Sequence, residues 1–465
     1  MVVLLLCTLF GLNKIGDTLD DTKIIGYFKP TVDGMNIGDL DASKITHLLY
    51  AFATFHLDGT ATFNGPGENR DWEDFHLRKS VTPYDDECPC GDVCLKGYVH
   101  QLYRKKRDNP HMRTVLSIGG WNWSGNISAV LKDPVKRKRA VETSTDLMTK
   151  YAFDGVDLDW EFPTNSYRQE EEKEYTTDPK DFENLLSYLQ EMRQYFDKLN
   201  LPKDTILSTA MPALLDEFPS AKDLLSKFSQ VCSFVIIMSY EYHHNKEIAK
   251  LGAPLFAASQ DSDDEKKQTV AIGMSQYSAI DKNKLIMGIP LYGTGFDDVK
   301  GNTGGRDMKC LGSELEKPTI MKPINYRQVL ALADSKEYGG YDYSDERAQA
   351  SICNNKKFIS FDSVESVAKK AKYVKSQGFG GIMMWDLSQD VLEKDNADRS
   401  LLKSLYDNLD VDIKKDRSYE DMCLSESEFC NLKCDYTNIR AKEDYARSNG
   451  VVFSMLWSIL FVYFQ

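Results

Sequence analysis

Short apolar segments separated by longer amphipathic stretches recur along most of this 465-residue chain. The stretches 182–196 and 364–376 repeat their apolar positions at three- and four-residue spacing, which predicts helices. The short apolar segments predict strands, and strands that alternate with helices are typical of a parallel α/β sheet. Eight strands are predicted, at residues 24–28, 47–53, 114–118, 155–159, 206–211, 234–239, 285–289 and 381–385.

Eight strand–helix units close naturally into a (β/α)8 TIM barrel, which builds its active site at the carboxyl ends of the strands. We expect this α/β barrel to span residues 21–408, with a small α+β insertion at about 294–357, between the seventh and eighth strands. A basic helix candidate at 95–107 precedes the third strand, and its Lys and Arg side chains are predicted to be solvated. A doubly wound open sheet is the alternative fold.

The sequence DGVDLDWEFP at residues 154–163 places acidic residues at alternate positions. Because alternate side chains of a strand share one face, Asp157, Asp159 and Glu161 are predicted to project together. Like charges held close raise at least one carboxyl pKa, and a carboxyl that stays protonated near neutral pH serves as a general acid. Glu161 ends the fourth strand, where a barrel places its catalytic groups. A solvated acidic face is the alternative interpretation.

The net charge of the chain indicates which class of ligand it binds. The chain carries 71 acidic and 57 basic residues and a formal charge of −14 at pH 7, which argues against a nucleic acid and favours a neutral ligand. We expect no metal and no cofactor. The two cysteine clusters lack nearby histidines and paired CxxC spacing, and the adjacent His243 and His244 are interpreted as loop residues.

The two ends of the chain suggest processing. Residues 1–16 begin with a short apolar run of signal-peptide length, with a buried strand or an uncleaved anchor as alternatives. Residues 409–450 form a polar, Cys-containing tail. The hydrophobic residues 451–465 are interpreted as a lipid-anchor signal, a retained membrane segment or a packed tail. We therefore expect a secreted or extracellular protein that is a monomer and can be anchored to the cell surface through its C-terminal tail.

The cysteines and two glycosylation motifs fit the same compartment. Disulfides are favoured in an oxidising environment, although spacing alone does not give their pairing. Cys232 lies in an apolar segment and is predicted to be a free core thiol. Asn122 and Asn126 each begin an Asn-x-Ser acceptor motif.

Six segments, taken in order, resemble glycoside hydrolase family 18, the chitinases and chitinase-like lectins. Asp154, Asp157, Asp159 and Glu161 match the family's DxxDxDxE pattern. The resemblance covers about residues 23–407, and the stretch 100–121 is most similar to fungal-type secreted endochitinases. The other matching segments are ITHLLYAFA at 45–53, SIGGW at 117–121, MSYEY at 238–242, GIPLYG at 288–293 and GGIMMWDLSQD at 380–390.

The resemblance implies a chitinase that cleaves β-1,4 bonds between N-acetylglucosamine units by substrate-assisted retaining catalysis. Glu161 would be the acid and base, Asp159 would orient the substrate's acetamide, and Asp157 would share charge with Asp159. Tyr240 would donate its hydroxyl to the acetamide oxygen. Asp154, out of phase with the other acids, is expected to be structural.

The resemblance also implies a groove that binds chitin or chitooligosaccharides. Aromatic rings at strand ends would face the sugars, and glycine backbone would approach them closely. Ordinary packing of the aromatic residues and methionine, and tight turns at the glycines, are the alternatives. The implied substrate-binding residues are Tyr27, Gly119, Gly120, Trp121, Asn122, Phe162, Met238, Glu241 and Trp385.

Three positions depart from the family pattern. Glu241 stands where the sixth-strand motif usually ends in Asp, and Thr294 stands where many members carry Arg. A glycan on Asn122 would obstruct the groove, which makes Asn126 the better acceptor. Alternative functions are a catalytically silent chitin-binding lectin, an endo-β-N-acetylglucosaminidase acting on N-glycans, and an adhesive surface protein. The presence of Glu161 argues against the lectin.

Overall fold

A closed barrel of eight parallel strands forms the centre of the molecule. The computed structural model describes residues 22–30, 35–63, 97–165, 175–242, 247–300, 308–354 and 356–413. Neighbouring barrel strands pair in parallel, and the first strand pairs with both the second and the last, which closes the sheet. The barrel strands are β1 (Lys23–Phe28), β2 (His47–Phe55), β4 (Arg113–Gly119), β5 (Gly155–Asp159), β6 (Ile206–Met211), β7 (Phe234–Ile237), β8 (Leu285–Pro290) and β15 (Gly381–Trp385).

The predicted strands coincide with these eight in order and position, so the TIM barrel is confirmed and the open sheet is excluded. A short strand that was not predicted, β3 (Ala61–Thr62), pairs antiparallel with the end of β2.

Helices lie between the barrel strands, and several carry clear end signals. Asp133 accepts hydrogen bonds from the first turn of the helix that starts at Pro134, and Ser363 caps another helix that ends at left-handed Gly378. Within the described ranges, the α-helices are Gly97–Asp108, Ile127–Leu131, Pro134–Lys150, Asp181–Lys198, Leu225–Val231, Asp263–Lys267, Val270–Gln276, Tyr326–Ala333, Val364–Gln377, Glu393–Asn396 and Leu401–Leu409.

Strand alternation divides the hydrophobic core into two layers. On β5, Val156 and Leu158 pack outward with the helices, whereas Asp157 and Asp159 take the alternate, inward positions. The barrel interior is filled by residues such as Ile25, Leu49, Val115, Ile206, Ile236, Ile286 and Met383. Asp157 and Asp159 therefore lie inside the barrel, next to a closely packed apolar interior.

The sequence predicts a small α+β insertion after the seventh barrel strand. Its described residues form an antiparallel sheet and one α-helix, and the sheet extends beyond 294–357 at both ends. The sheet begins at Tyr292, because the chain continues almost directly from β8 into β9, and it ends at Phe361. Its strands are β9 (Tyr292–Val299), β10 (Leu315–Ile320), β11 (Ile324–Asn325), β12 (Asp342–Ser344), β13 (Gln349–Cys353) and β14 (Lys357–Phe361).

A disulfide joins Cys310 to Cys353 within the insertion, a pairing that the sequence alone does not reveal. Cys232 is buried and free, as predicted, and burial raises the pKa of its thiol to about 12. The other cysteines, the signal-like residues 1–16 and the tail beyond residue 413 lie outside the described residues. Among the helices that the structure describes, none has the length and apolar character needed to cross a membrane.

The prediction of a solvated basic face on the helix before the third strand is wrong. Lys106 is 3% exposed, and its ammonium pairs with Asp154 at 2.8 Å, which compensates the burial of its charge. Lys105 donates to the Gly38 carbonyl. Asp154 also accepts a hydrogen bond from the backbone N–H of Thr114. Asp154 thus joins helix and strands on the outer side of the barrel, consistent with the structural role expected for it.

Candidate active site

Three barrel strands, β1, β4 and β6, bring hydroxyl groups to Asp157, the first inward carboxylate of β5. The parallel register pairs Ser117 of β4 with Asp157 and pairs Asp157 with Ser208 of β6. Asp157 is fully buried, and its carboxylate accepts hydrogen bonds from Ser117 and Ser208 at 2.7 Å and from the Tyr27 hydroxyl at 2.8 Å. Burial raises the pKa of Asp157, and the three hydroxyl donors oppose that rise.

Asp159 lies two residues further along β5, on the same inward face as Asp157. It is 4% exposed, and its Oδ1 has no hydrogen-bond partner among the described residues. Burial raises the pKa of Asp159 well above its usual value, and the charges of Glu161 and Asp157 raise it further. The neighbouring acids thus act in the direction that their spacing in the sequence predicts, but burial is the larger cause.

Glu161 lies just beyond the end of β5 and is half-buried. Its charge acts on Asp159 and on Tyr240, which places the three side chains in one electrostatic cluster. The backbone N–H of Glu161 donates to the hydroxyl of Ser124, 3.0 Å away, on the loop that follows β4. The most accessible acid of the cluster is thus the one at the mouth of the barrel.

Tyr240 and Glu241 enter the site from the end of β7. Burial raises the pKa of Tyr240, with Glu161 and Asp159 as the strongest nearby charges, so its phenol remains a proton donor. Glu241 is exposed, has a φ of +62°, and accepts a 2.7 Å hydrogen bond from Tyr292. The Tyr292 ring meets the Tyr240 ring edge-on at 6.2 Å. This contact ties the tip of β7 to the insertion.

An aromatic floor lies beside the acids. Trp385 is half-buried at the end of β15 and stacks on Phe52 with ring centroids 5.5 Å apart. Tyr27 meets the edge of Trp385 at 5.2 Å but is only 1% exposed. The prediction that Tyr27 lines the open groove is therefore corrected: its hydroxyl is directed to Asp157, and its ring supports the floor from below.

The other predicted binding residues differ in accessibility. Trp121 is 47% exposed and the neighbouring Asn122 is exposed, so both are available to a ligand. Phe162 is half-buried against Phe218. Met238 is 7% exposed within the interior of the barrel, which fits the packing alternative better than a direct contact.

Gly119, the last residue of β4, and the following Gly120 are needed for close packing. A Cβ on Gly119 would lie 2.2 Å from the Asp159 carbonyl oxygen, and a Cβ on Gly120 would lie 2.4 Å from the Phe52 ring. Both have positive φ, of 107° and 78°, which L side chains rarely adopt. These constraints favour the tight-turn explanation over close approach to a sugar.

Several residues of the site were not predicted from the sequence. Ser117 is the first residue of SIGGW, and Ser208 is a hydroxyl residue in an apolar strand, so aligning the strands could have revealed both. Phe52 and Tyr292 read as ordinary core aromatics in the sequence. Their contacts depend on how β2 and β9 pack in three dimensions, which no local pattern encodes.

The asparagines of the two glycosylation motifs differ in solvent exposure. Asn126 is half-buried and its Nδ2 donates to the Phe55 carbonyl, whereas Asn122 is exposed beside the site. Which of them carries a glycan stays a prediction. Within the described residues, no group of three or more His, Cys, Asp or Glu side chains is arranged to hold a metal ion.

Clustered carboxyl groups, two of them with raised pKa values, beside an aromatic floor at the carboxyl ends of barrel strands are typical of a glycoside hydrolase. One carboxyl can protonate a glycosidic oxygen while aromatic faces hold sugar rings. Asp157 and Asp159 take the inward positions of β5, and Glu161 follows two residues after Asp159, which sets the spacing of the acids.

Comparison with known proteins agrees with this class. The model of glycosyl hydrolases family 18 matches residues 23–390. The chain is 28% identical to Chitinase A1 of Niallia circulans over 408 residues, which are 80% of this chain and 57% of that protein. It is 28% identical to Endochitinase 1 of Metarhizium robertsii over 366 residues, covering 76% of this chain and 77% of that protein.

Among solved structures, Chitinase ChiA74 from Bacillus thuringiensis superposes with a TM-score of 0.67 and 26% identity. The superposition covers 84% of this chain and 70% of that structure. The chain therefore belongs to glycosyl hydrolases family 18. The match to Chitinase A1 spans little more than half of that relative's length.

Proposed function

We propose that this protein is a chitinase that hydrolyses β-1,4 bonds between N-acetylglucosamine units with assistance from the substrate's acetamide. The observation that carries the proposal is Asp159, placed between Asp157 and Glu161. It is a buried carboxyl with a raised pKa, and one of its oxygens has no hydrogen-bond partner in the part of the chain that the structure describes. Membership of family 18 and the names of the chitinase relatives support the same substrate.

Glu161 begins the reaction by protonating the glycosidic oxygen. Its position beyond the strand end leaves it half-buried and accessible to a bound chain, unlike the deeper aspartates. As the proton transfers, the bond between the anomeric carbon and the leaving oxygen breaks. The carbonyl oxygen of the substrate's own acetamide bonds to the anomeric carbon and forms an oxazolinium ion.

Asp159 orients that acetamide. Its buried Oδ1 lacks a donor among the described residues, and the N–H of the acetamide supplies one. Positive charge develops on the acetamide nitrogen during the attack, and the negative charge shared by Asp159 and Asp157 stabilises it. The three hydroxyl groups that hold Asp157 keep part of this charge in place.

Tyr240 and Glu161 complete the cycle. The phenol of Tyr240, kept protonated by its raised pKa, donates to the acetamide oxygen. Glu161, now ionised, takes a proton from a water molecule whose oxygen attacks the anomeric carbon. The oxazolinium ring opens, and the product keeps the β configuration of the substrate.

The aromatic rings determine how the sugar chain lies. Trp385 forms the floor under the sugar that is cleaved, and exposed Trp121 offers a second apolar face along the groove. The insertion raises the wall beside Glu241, since Tyr292 of the insertion binds that carboxylate directly. A groove with one high wall favours a substrate of several sugars.

The test is turnover of a fluorogenic chitotrioside by the full chain and by the Glu161→Gln variant, with Glu142→Gln as a matched control. Glu142 lies on the helix Pro134–Lys150, outside the site, and pairs with Lys138. We expect turnover by the wild type and the control and a loss of at least about a thousandfold in kcat for Glu161→Gln. Equal turnover by all three proteins would refute the assignment.

We also propose that the protein works outside the cytosol. The disulfide between Cys310 and Cys353 supports this, since such bonds persist in oxidising compartments. Fractionation of cells that express the full chain, followed by chitotrioside turnover in each fraction, tests it. Activity confined to the cytosol would contradict the proposal.

A further inference from the structure

A buried hydroxyl connects the backbone of the proposed acid to the neighbouring loop. Ser124 follows the short 3-10 turn Trp121–Trp123 and is completely buried. Its Oγ accepts a hydrogen bond from the Glu161 N–H at 3.0 Å and donates to the Gly120 carbonyl at 2.9 Å. One serine hydroxyl has the single donor and the acceptor lone pairs that both bonds require.

A second bond reinforces this connection. The Gly120 N–H donates to the Asp159 carbonyl at 2.6 Å, so the loop after β4 is tied to β5 on both sides of the Trp160 peptide. Ser124 Oγ also lies 3.5 Å from the same Asp159 carbonyl. The backbone from Asp159 to Glu161 is therefore held by the neighbouring loop rather than by continued strand pairing, which on β5 ends at Asp159.

We propose that Ser124 is a positioning residue that fixes the Glu161 backbone so that its carboxyl reaches the glycosidic oxygen. This inference rests on the proposed function and adds a residue that the family pattern of acids does not include. Reacting groups lose about a hundredfold in rate when they are displaced by about 1 Å. A hydroxyl on the loop after β4 therefore controls kcat by holding the Glu161 backbone, without contacting the sugar.

The chain provides a matched control. Ser128 is also completely buried, is also the third residue of an Asn-x-Ser motif, and donates to Asp181 at 2.8 Å. Ser124→Ala and Ser128→Ala thus each remove one buried hydroxyl and one acceptor motif. Production in a host that does not N-glycosylate removes glycan differences between the two variants.

Steady-state kinetics on the fluorogenic chitotrioside separates positioning from general destabilisation. We expect Ser124→Ala to lower kcat by about ten- to a hundredfold with KM within about twofold of the wild type. Ser128→Ala should keep kcat within about twofold. An unchanged kcat in Ser124→Ala, or an equal loss in both variants, would overturn the proposal.

Two further variants keep the test decisive if Ser124→Ala does not fold. Ser124→Thr retains the hydroxyl and Ser124→Cys replaces it with a weak hydrogen-bonding group. The threonine variant should keep at least about fivefold more kcat than the cysteine variant, although its extra methyl group costs stability. Equal kcat values would contradict a role for the hydroxyl.

Hydrogen exchange tests the same contact without turnover. The Glu161 amide should exchange at least about tenfold faster in Ser124→Cys than in the wild type, and no faster in Ser128→Ala. Unchanged exchange in Ser124→Cys would refute the positioning role. If the wild type fails to cleave chitotrioside, the proposed function fails, and the exchange result still decides whether Ser124 fixes this backbone.

Discussion

Removing one hydroxyl beneath Asp157 should move the acid side of the activity profile to higher pH. The change is Tyr27→Phe, which keeps the ring that packs against Trp385 and Phe52 but removes the 2.8 Å hydrogen bond to Asp157. A hydrogen-bond donor stabilises the ionised carboxylate, so its loss raises the carboxyl pKa. Asp157 then stays protonated at pH values where the wild type is ionised.

The size of the shift follows from the contact. A hydrogen bond to a charged group contributes about 1.5–3 kcal/mol, and one pKa unit corresponds to about 1.4 kcal/mol. Because Ser117 and Ser208 still donate to Asp157, the lower end of that range applies. We therefore expect the acid limb of kcat to move up by about one pH unit.

The assay is kcat for chitotrioside cleavage between about pH 3 and pH 8, which reports ionisations in the substrate complex. Tyr188→Phe is the matched control, because Tyr188 is equally buried and donates to Ser144 rather than to a carboxylate. Its profile should match that of the wild type. An unshifted acid limb in Tyr27→Phe, or an equal shift in both variants, would refute the reasoning.

Three other substitutions test different parts of the structure. Asp159→Asn should nearly abolish kcat. It should also raise the free energy of unfolding at pH 8 by about 0.5–2 kcal/mol. The reason is that a buried carboxyl with a raised pKa destabilises the folded state as the pH rises and it ionises. Urea unfolding at pH 8 and pH 4 should show the gain shrinking at the lower pH, and a gain confined to pH 4 would contradict this sign. Cys310 and Cys353 are separated by 43 positions in the sequence, and replacing both with serine removes the cross-link between them. The free energy of unfolding, measured with urea, should fall by about 4 kcal/mol. An unchanged free energy of unfolding would show that the disulfide does not stabilise the insertion. Tyr292→Phe removes the hydrogen bond to Glu241 and should raise KM for chitotrioside severalfold with kcat within about twofold, whereas a loss in kcat alone would place the pair in the chemical step.

The barrel could be predicted from the sequence because its signals are local. Each strand is a short apolar segment, and the acids at 157, 159 and 161 reveal the inward face of β5 by their spacing alone. The sequence predicted an α+β insertion at this place, but the predicted start at about residue 294 lies two residues after the first residue of β9, Tyr292. The sequence GIPLYG runs from β8 into β9 across Leu291, without the polar loop that usually marks such a boundary.

The contacts that set the chemistry were harder to predict because they join distant segments. Tyr27 is 130 residues from the aspartate it binds, so its burial and its partner depend on barrel closure. Lys106 was expected in solvent because charged side chains usually are, yet it pairs with Asp154, 48 positions away in the sequence. Ser124 looked like part of a glycosylation motif, and only the folded loop shows its bond to Glu161.

Product stereochemistry tests the central claim most directly, since an attack by the substrate's acetamide leads to retention. Proton NMR of chitopentaose during the first minutes of cleavage by the full chain distinguishes the two anomers before they equilibrate. The mechanism built on Glu161 and Asp159 predicts that the β-anomer forms first. Initial formation of the α-anomer would show direct attack by water and would contradict the account.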